Sequence, residues 1–146
     1  MPTVREIVDP NGTLPQVELR PVNVMDVEYF LREEVQIVSS GEVVGKCKIV
    51  SETYPDCPHL AHFDLIEAQK GHGFGMATYV LAIEQAHARG LPFETQDWDQ
   101  TADSKRIWEK LAALGVAQII KPFVPSPTKP GRYVGKFRVP PLRDNV

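Results

Sequence analysis

A glycine-rich turn between a strand-like and a helix-like segment is the feature that most constrains the fold of this chain. Residues 70–77 read KGHGFGMA, after a strand-like run at 59–66 and before a helical pattern that stops at Gly90. Glycine lets a backbone come close to a ligand because it has no Cβ. The free N–H groups and the positive dipole end of the following helix favour an anion. The turn therefore predicts a phosphate-bearing cofactor, with a glycine turn that binds no ligand as the alternative.

The spacing of these glycines excludes two common phosphate motifs. A P-loop needs Gly, four residues and then Gly-Lys-Ser/Thr, and the sequence contains no such run. A dinucleotide fingerprint needs Gly-x-Gly-x-x-Gly at the first strand–helix turn of a domain, whereas Gly71, Gly73 and Gly75 alternate in mid-chain.

Length, composition and charge favour one water-soluble α/β domain over residues 1–146. The net charge of −3 argues against nucleic acid as a partner. Cys47 and Cys57 match no zinc or redox spacing, which predicts no metal site and indicates a reducing compartment. No apolar run approaches the length of a membrane span, and residues 1–16 contain no hydrophobic signal region. We therefore expect a cytoplasmic protein without a membrane partner.

The N-terminal half predicts mainly strands. Residues 1–16 are interpreted as an arm or an extra strand ending in a turn, and 17–20 as a first strand. The spacing of Val27, Phe30 and Leu31 predicts a short helix over 26–34. A hairpin is predicted over 35–50, with its turn at Ser39 to Glu42.

The C-terminal half alternates strands and helices. Strands are predicted at 59–66, 92–96, 116–120 and 133–139. Helices are predicted from Met76 to Arg89 and from an N-cap at Thr101 to Leu114. The segment 122–146 is basic and rich in proline, so its first part is predicted to be irregular before the last strand begins.

These elements together resemble the GNAT family of N-acetyltransferases over residues 17–138. Its members carry Arg/Gln-x-x-Gly-x-Gly/Ala between the fourth strand and the next helix, and Lys70 to Gly75 is similar, with Lys70 in the Arg/Gln place. The stretch from Val17 to Pro21 is similar to the family's opening, and the stretch from Ser104 to Gly115 to its second cofactor helix. The resemblance implies a mixed, mostly antiparallel sheet flanked by helices, with the fourth and fifth strands splayed apart.

The resemblance also implies acetyl-CoA as the cosubstrate. The backbone around Leu65, Ile66 and Glu67 would pair with the pantetheine arm, and the Leu65 amide would stabilise the oxyanion that develops on the thioester. The pyrophosphate would be held by the turn itself, whose residues are Lys70, Gly71, His72, Gly73, Phe74, Gly75 and Met76.

Three residues of the second cofactor helix depart from the family. Trp108 stands where many members have a Tyr that protonates the departing thiolate, and an indole cannot serve as that acid. Trp108 is therefore interpreted first as core packing and second as a catalytic residue. Thr101 and Ser104 stand where members have Asn and Ala. Both are candidate cofactor ligands, and Ser104 is equally well interpreted as a helix surface residue.

The candidate general base is His59. Several members use a Glu located 11 residues before the Arg/Gln of the motif, and His59 occupies that place relative to Lys70. Histidine titrates near neutrality, which suits proton transfer. A surface or structural histidine is the alternative.

The sequence thus predicts transfer of an acetyl group to a primary amine, of a small molecule or a protein, by direct attack in a ternary complex. The resemblance also suggests a homodimer. One alternative is a catalytically degenerate module that binds CoA or a protein partner, favoured by Trp108 and by the short N-terminal half. A weaker one is a nucleobase-modifying relative, favoured by the basic tail.

Overall fold

The computed structural model describes residues 3–52, 60–69, 71–95 and 100–141. Its seven-stranded sheet has the order β1-β2-β3-β4-β5-β7-β6. Neighbouring strands are antiparallel except for the parallel pair β4–β5, so the predicted mixed, mostly antiparallel sheet flanked by helices is confirmed. In chain order the elements are α1 (Val4–Val8), β1 (Glu18–Val27), β2 (Phe30–Ser39), β3 (Glu42–Glu52), β4 (Leu60–Ala68), α2 (Phe74–Ala88), β5 (Phe93–Glu94), α3 (Ala102–Ala113), β6 (Gln118–Pro125) and β7 (Tyr133–Val139).

The boundaries of the two long helices follow from local sequence. The Thr101 hydroxyl accepts a hydrogen bond from the Ser104 amide at 3.1 Å, which caps the start of α3 as predicted. Gly90 and Gly115 follow the two helices with φ of 71° and 79°. That left-handed conformation is available to glycine at little cost, so both helices end where the sequence predicted.

The helix predicted over 26–34 is wrong, because these residues complete β1, turn at Glu28 and Tyr29, and begin β2. Val27 pairs with Phe30, and β2 is bonded to β3 on its other side. An isolated helix shorter than about 12 residues is marginal in water. The ladders on both sides of β2 therefore outweigh the helical spacing of a few apolar residues.

The N-terminal segment forms a helix where an arm or a strand was predicted. Thr3 and Glu6 build a reciprocal capping box at the start of α1. This Thr-x-x-Glu pattern is readable in the sequence and was missed. Val8 then joins the hydrophobic core, and α1 contacts α2.

Proline does not interrupt β6 in the way the sequence suggested. The strand includes Pro122 and ends at Pro125, with shifts of its register against β7 on either side of Lys121. It is the last strand in the order of the described sheet, so one side of its backbone has no neighbour among the described strands. An edge strand tolerates residues that lack an N–H donor, so the prediction of irregular structure is wrong for residues 122–125 and holds for 126–132, which form neither helix nor strand.

Aromatic packing places α2 and α3 on the same face of the sheet. Tyr79 of α2 meets Phe63 at a centroid distance of 4.7 Å. Trp108 of α3 stacks on Phe93 at 5.5 Å and lies 6.2 Å from Phe137. We call the opposite side of the sheet the open face. Within the described ranges, no helix combines the length and the apolar character that crossing a bilayer requires.

Candidate functional site

The fourth strand carries a bulge shortly before the glycine turn. Lys46 of β3 is opposite Glu67, but the next residue, Cys47, is opposite Leu65. Ile66 is therefore the extra residue of a β-bulge. A bulge takes backbone groups out of the regular ladder and redirects the strand, and such bulges are common beside binding sites.

The sheet opens between β4 and β5. In the described residues these strands pair at two positions, Ala61 with Phe93 and His62 with Glu94. The Thr95 amide then donates to the Phe137 carbonyl at 3.1 Å, so the chain stays with β7. Meanwhile β4 continues through residues 63–68 beside β3. The predicted separation of the fourth and fifth strands is thus confirmed, and it leaves one backbone edge of β4 without a described strand partner.

The glycine turn closes this opening at the N-terminus of α2. Gly71 and Gly73 have φ of 82° and 77°, a conformation that side chains with a Cβ rarely adopt. Gly73 is the N-cap of α2 and has no side chain to cap the first amides. Helix N-termini accept anions because these amides and the helix dipole point outward. His72 between the two glycines is exposed, with its ring 5.6 Å from that of Phe74.

The N-terminal segment supports the glycine turn from outside. A Cβ on Gly73 would meet Leu14 Cδ2 and Pro15 Cδ at 3.3 Å. The Asp9 carboxylate accepts hydrogen bonds from the amides of Leu14 at 3.0 Å and Thr13 at 2.7 Å, and from the Thr13 hydroxyl. These bonds, the one from Leu14 foremost, lower the pKa of Asp9. The sequence showed a turn here but not its contact with the glycine run.

Ser104 of α3 lies inside the protein and not on the helix surface. It is 7% exposed, and its hydroxyl donates to Gln100 Oε1 at 2.7 Å. The hydroxyls of Tyr79 and Ser104 are 2.9 Å apart, which links α2 to α3. Thr101 uses its own hydroxyl as the helix cap. Side chains of this region are therefore occupied in contacts that hold the two helices together.

Trp108 is 1% exposed and packs within the aromatic cluster of Tyr79, Phe93 and Phe137. This is the packing position that the sequence interpretation placed first. His59 and Lys70 lie outside the described residues, as do the side chains of Leu65, Ile66 and Glu67, for which the backbone alone is described.

Glu94 is a buried acid that sequence reasoning missed. It is 6% exposed, and its Oε1 lies 3.5 Å from Nε of Arg138 on β7. Phe93 faces the helices, so Glu94 as the next residue points to the open face. The predicted strand 92–96 gave no sign of this burial, because it depends on which strands lie on either side.

One comparison with known proteins supports this architecture. A solved structure from Sphaerobacter thermophilus DSM 20745, of a protein named a "putative acetyltransferase", matches with a TM-score of 0.51 and 12% sequence identity, over 94% of this chain and 87% of that chain. At this identity the likeness is one of fold. No protein-family model matches the sequence, and no curated protein matches it.

Proposed function

We propose that this chain is an N-acetyltransferase of the GNAT type that uses acetyl-CoA as its cosubstrate. The observation that carries the proposal is the bulged strand β4, which parts from β5 directly before an uncapped, glycine-rich helix start. An extended ligand with a diphosphate at one end matches both halves of this arrangement. The strand edge offers backbone donors and acceptors to an amide-containing arm, and the turn offers amides to the phosphates.

The proposed cofactor contacts come mainly from the backbone. The turn from Gly71 to Met76 would hold the pyrophosphate, helped by Lys70, whose ammonium can act as a point charge. Leu65, Ile66 and Glu67 would pair with the pantetheine arm. The Leu65 amide next to the bulge would donate to the thioester oxygen and stabilise the charge that develops there. Thr101 and Ser104 are built into the α3 start, so their part would be to position that helix.

The acceptor is proposed to be a primary amine that reaches the thioester from the open face. β1 and β2 are joined by the short turn Glu28–Tyr29, and β2 carries charged side chains on the open face. Among them are Arg32 and Glu34, whose side chains are 38% and 46% exposed. Such a surface suits a polar small molecule or a protein segment. The sequence candidate for the base, His59, rests on the sequence pattern alone.

A second candidate function is a CoA-binding module without turnover. It is favoured by the burial of Trp108, since the position that carries an acidic Tyr in many members is here part of the core. A thiol with a pKa of about 8.5 is a tolerable leaving group, so this burial does not by itself prevent transfer.

Calorimetric titration with acetyl-CoA, and with CoA alone as comparison, tests the cofactor site. We expect one-to-one binding in the micromolar range. Release of free thiol is then followed with spermidine, L-lysine, tyramine and a lysine-containing peptide as acceptors. Binding with turnover supports the transferase, binding with none of the four amines consumed favours the module, and no binding by folded protein removes both.

A further inference from the structure

Glu94 lies at the point where the sheet opens. Its pairing with His62 is the last described pair between β4 and β5 before the strands separate. The alternation of strand side chains puts Phe93 under the helices and Glu94 on the open face. The carboxylate therefore sits beside the opening, on the side from which the acceptor is proposed to enter.

The burial of this carboxylate is unusual for its surroundings. Its side chain is 7% exposed, whereas those of Arg32 and Glu34 on the same face are 38% and 46% exposed. A carboxylate withdrawn from water is costly unless charge partners and hydrogen bonds compensate for the lost hydration.

The compensation supplied by Arg138 is incomplete. The Nε atom of Arg138 is buried and makes no hydrogen bond to any described residue. Glu94 Oε1 lies 3.5 Å from it. The guanidinium thus supplies opposite charge without a well-formed hydrogen bond. The arrangement leaves the carboxylate able to accept a donor from a ligand.

Resting on the proposed function, we propose that Glu94 binds the ammonium group of the acceptor and takes its proton. The preferred substrates are then primary amines that are protonated at neutral pH, and the Glu94 carboxylate is the group that selects them. The positive charge of the Arg138 guanidinium offsets the negative charge of Glu94 in the free protein. Arg138 stays protonated throughout, so it does not act as an acid.

The step balances as follows. The substrate ammonium gives one proton to a Glu94 carboxylate oxygen, and the neutral nitrogen attacks the thioester carbon. The C–N bond forms and the C–S bond breaks, while the nitrogen loses a second proton that ends on the CoA thiolate. Glu94 then returns its proton to solvent. One amide, one thiol and one released proton result, with no oxidant or reductant.

The test compares Glu94→Gln with Glu18→Gln. Glu18 is a strand carboxylate that also lies 3.5 Å from an arginine nitrogen, that of Arg20, but it is exposed and belongs to the outermost strand. We expect Glu94→Gln to keep the acetyl-CoA dissociation constant within about twofold and to lower kcat at least about a hundredfold, the usual size of a proton-transfer contribution. Glu94→Asp should recover part of the rate, and Glu18→Gln should behave as wild type.

A double variant separates catalysis from folding. Removing Glu94 alone leaves Arg138 without its partner, so the single variant can lose stability. Glu94→Leu with Arg138→Leu removes both charges, and we expect it to melt near wild type and still fail to turn over the amine. Restored turnover in the double variant would show that the pair serves folding, and the inference would fall.

The remaining outcomes separate this inference from the proposed function. Wild type that does not bind acetyl-CoA removes the proposed function, and the inference with it. Wild type that binds acetyl-CoA but acetylates none of the four amines overturns the inference and leaves the cofactor site. A full rate in Glu94→Gln, together with its loss in His59→Ala, assigns the base role to His59 and overturns the inference alone.

Discussion

Replacing Trp108 by Tyr should destabilise this protein and should not speed it up. The substitution restores the residue that many GNAT members carry at the proposed equivalent position, so the family resemblance alone would favour a gain of activity. The structure instead puts this side chain, 1% exposed, between Phe93 at 5.5 Å, Tyr79 at 5.8 Å and Phe137 at 6.2 Å. A smaller ring with a hydroxyl fits this cluster poorly.

Two contributions set the size of the expected effect. Loss of roughly 40 Å² of buried ring surface, with the small cavity left behind, costs about 1–2 kcal/mol. A phenol hydroxyl placed among the rings without a partner adds about 1–3 kcal/mol. A total of about 3 kcal/mol corresponds to a fall in melting temperature of roughly 6–12 °C for a domain of this size.

The assay is thermal and urea unfolding of wild type, Trp108→Tyr and Trp108→Phe, with thiol release measured on the same samples. Trp108→Phe has the smaller ring without the hydroxyl, so the difference between the two variants isolates the cost of the polar group. An unchanged melting temperature in Trp108→Tyr, combined with a higher transfer rate, would refute this reasoning. It would mean that the position faces the thiolate and not the core.

Three further predictions follow. His72→Glu brings negative charge to the proposed phosphate site, so it should raise the dissociation constant for acetyl-CoA by about tenfold at low salt and by less at high salt. His72→Gln, measured in the same calorimetric titration, is the uncharged control. The pKa of Asp9 is lowered, so its carboxylate stabilises the fold fully above the unfolded pKa of 3.8, and this stabilisation is lost as the pH falls through the folded pKa. In urea unfolding at a series of pH values, Asp9→Asn should therefore lose less stability than wild type as the pH falls below 3.8. The same dependence of stability on pH in both proteins would contradict the role of the Asp9 hydrogen bonds. Gly135→Ala should lower the free energy of unfolding, measured in urea, by about 1–3 kcal/mol. The new Cβ would lie 2.9 Å from the Lys121 carbonyl oxygen and from Phe123 Cδ1. A variant as stable as wild type would mean that β6 moves aside freely.

Local chemistry explains why several elements could be predicted. The hairpin at Ser40 and Gly41 follows from a two-residue turn in which both residues have positive φ, 51° and 79°. The starts and stops of α2 and α3 depend on glycines and on Thr101, residues that act on their immediate neighbours. The strand Tyr133–Val139 alternates regularly and was predicted with the bounds it has.

The wrong predictions share a different cause. Residues 26–34 have apolar spacing compatible with a helix, and they become strands because β2 bonds to both β1 and β3. Pro122 and Pro125 are tolerated because β6 has a neighbour on one side. In each case the outcome depends on how strands pair across the sheet, and the periodicity of a single segment does not carry that information.

The local sequence fixes the strand–glycine turn–helix unit, since the conformational freedom of Gly71 and Gly73 and the amides that follow them belong to adjacent residues. It also determined the ends of α2 and α3 for the same reason. The folded sheet shows in addition that β4 bulges at Ile66, that Leu14 and Pro15 lie against Gly73, and that Glu94 is buried opposite Arg138. The burial of a charge and the position of a bulge depend on which segments become neighbours in space, and packing of the whole sheet settles that.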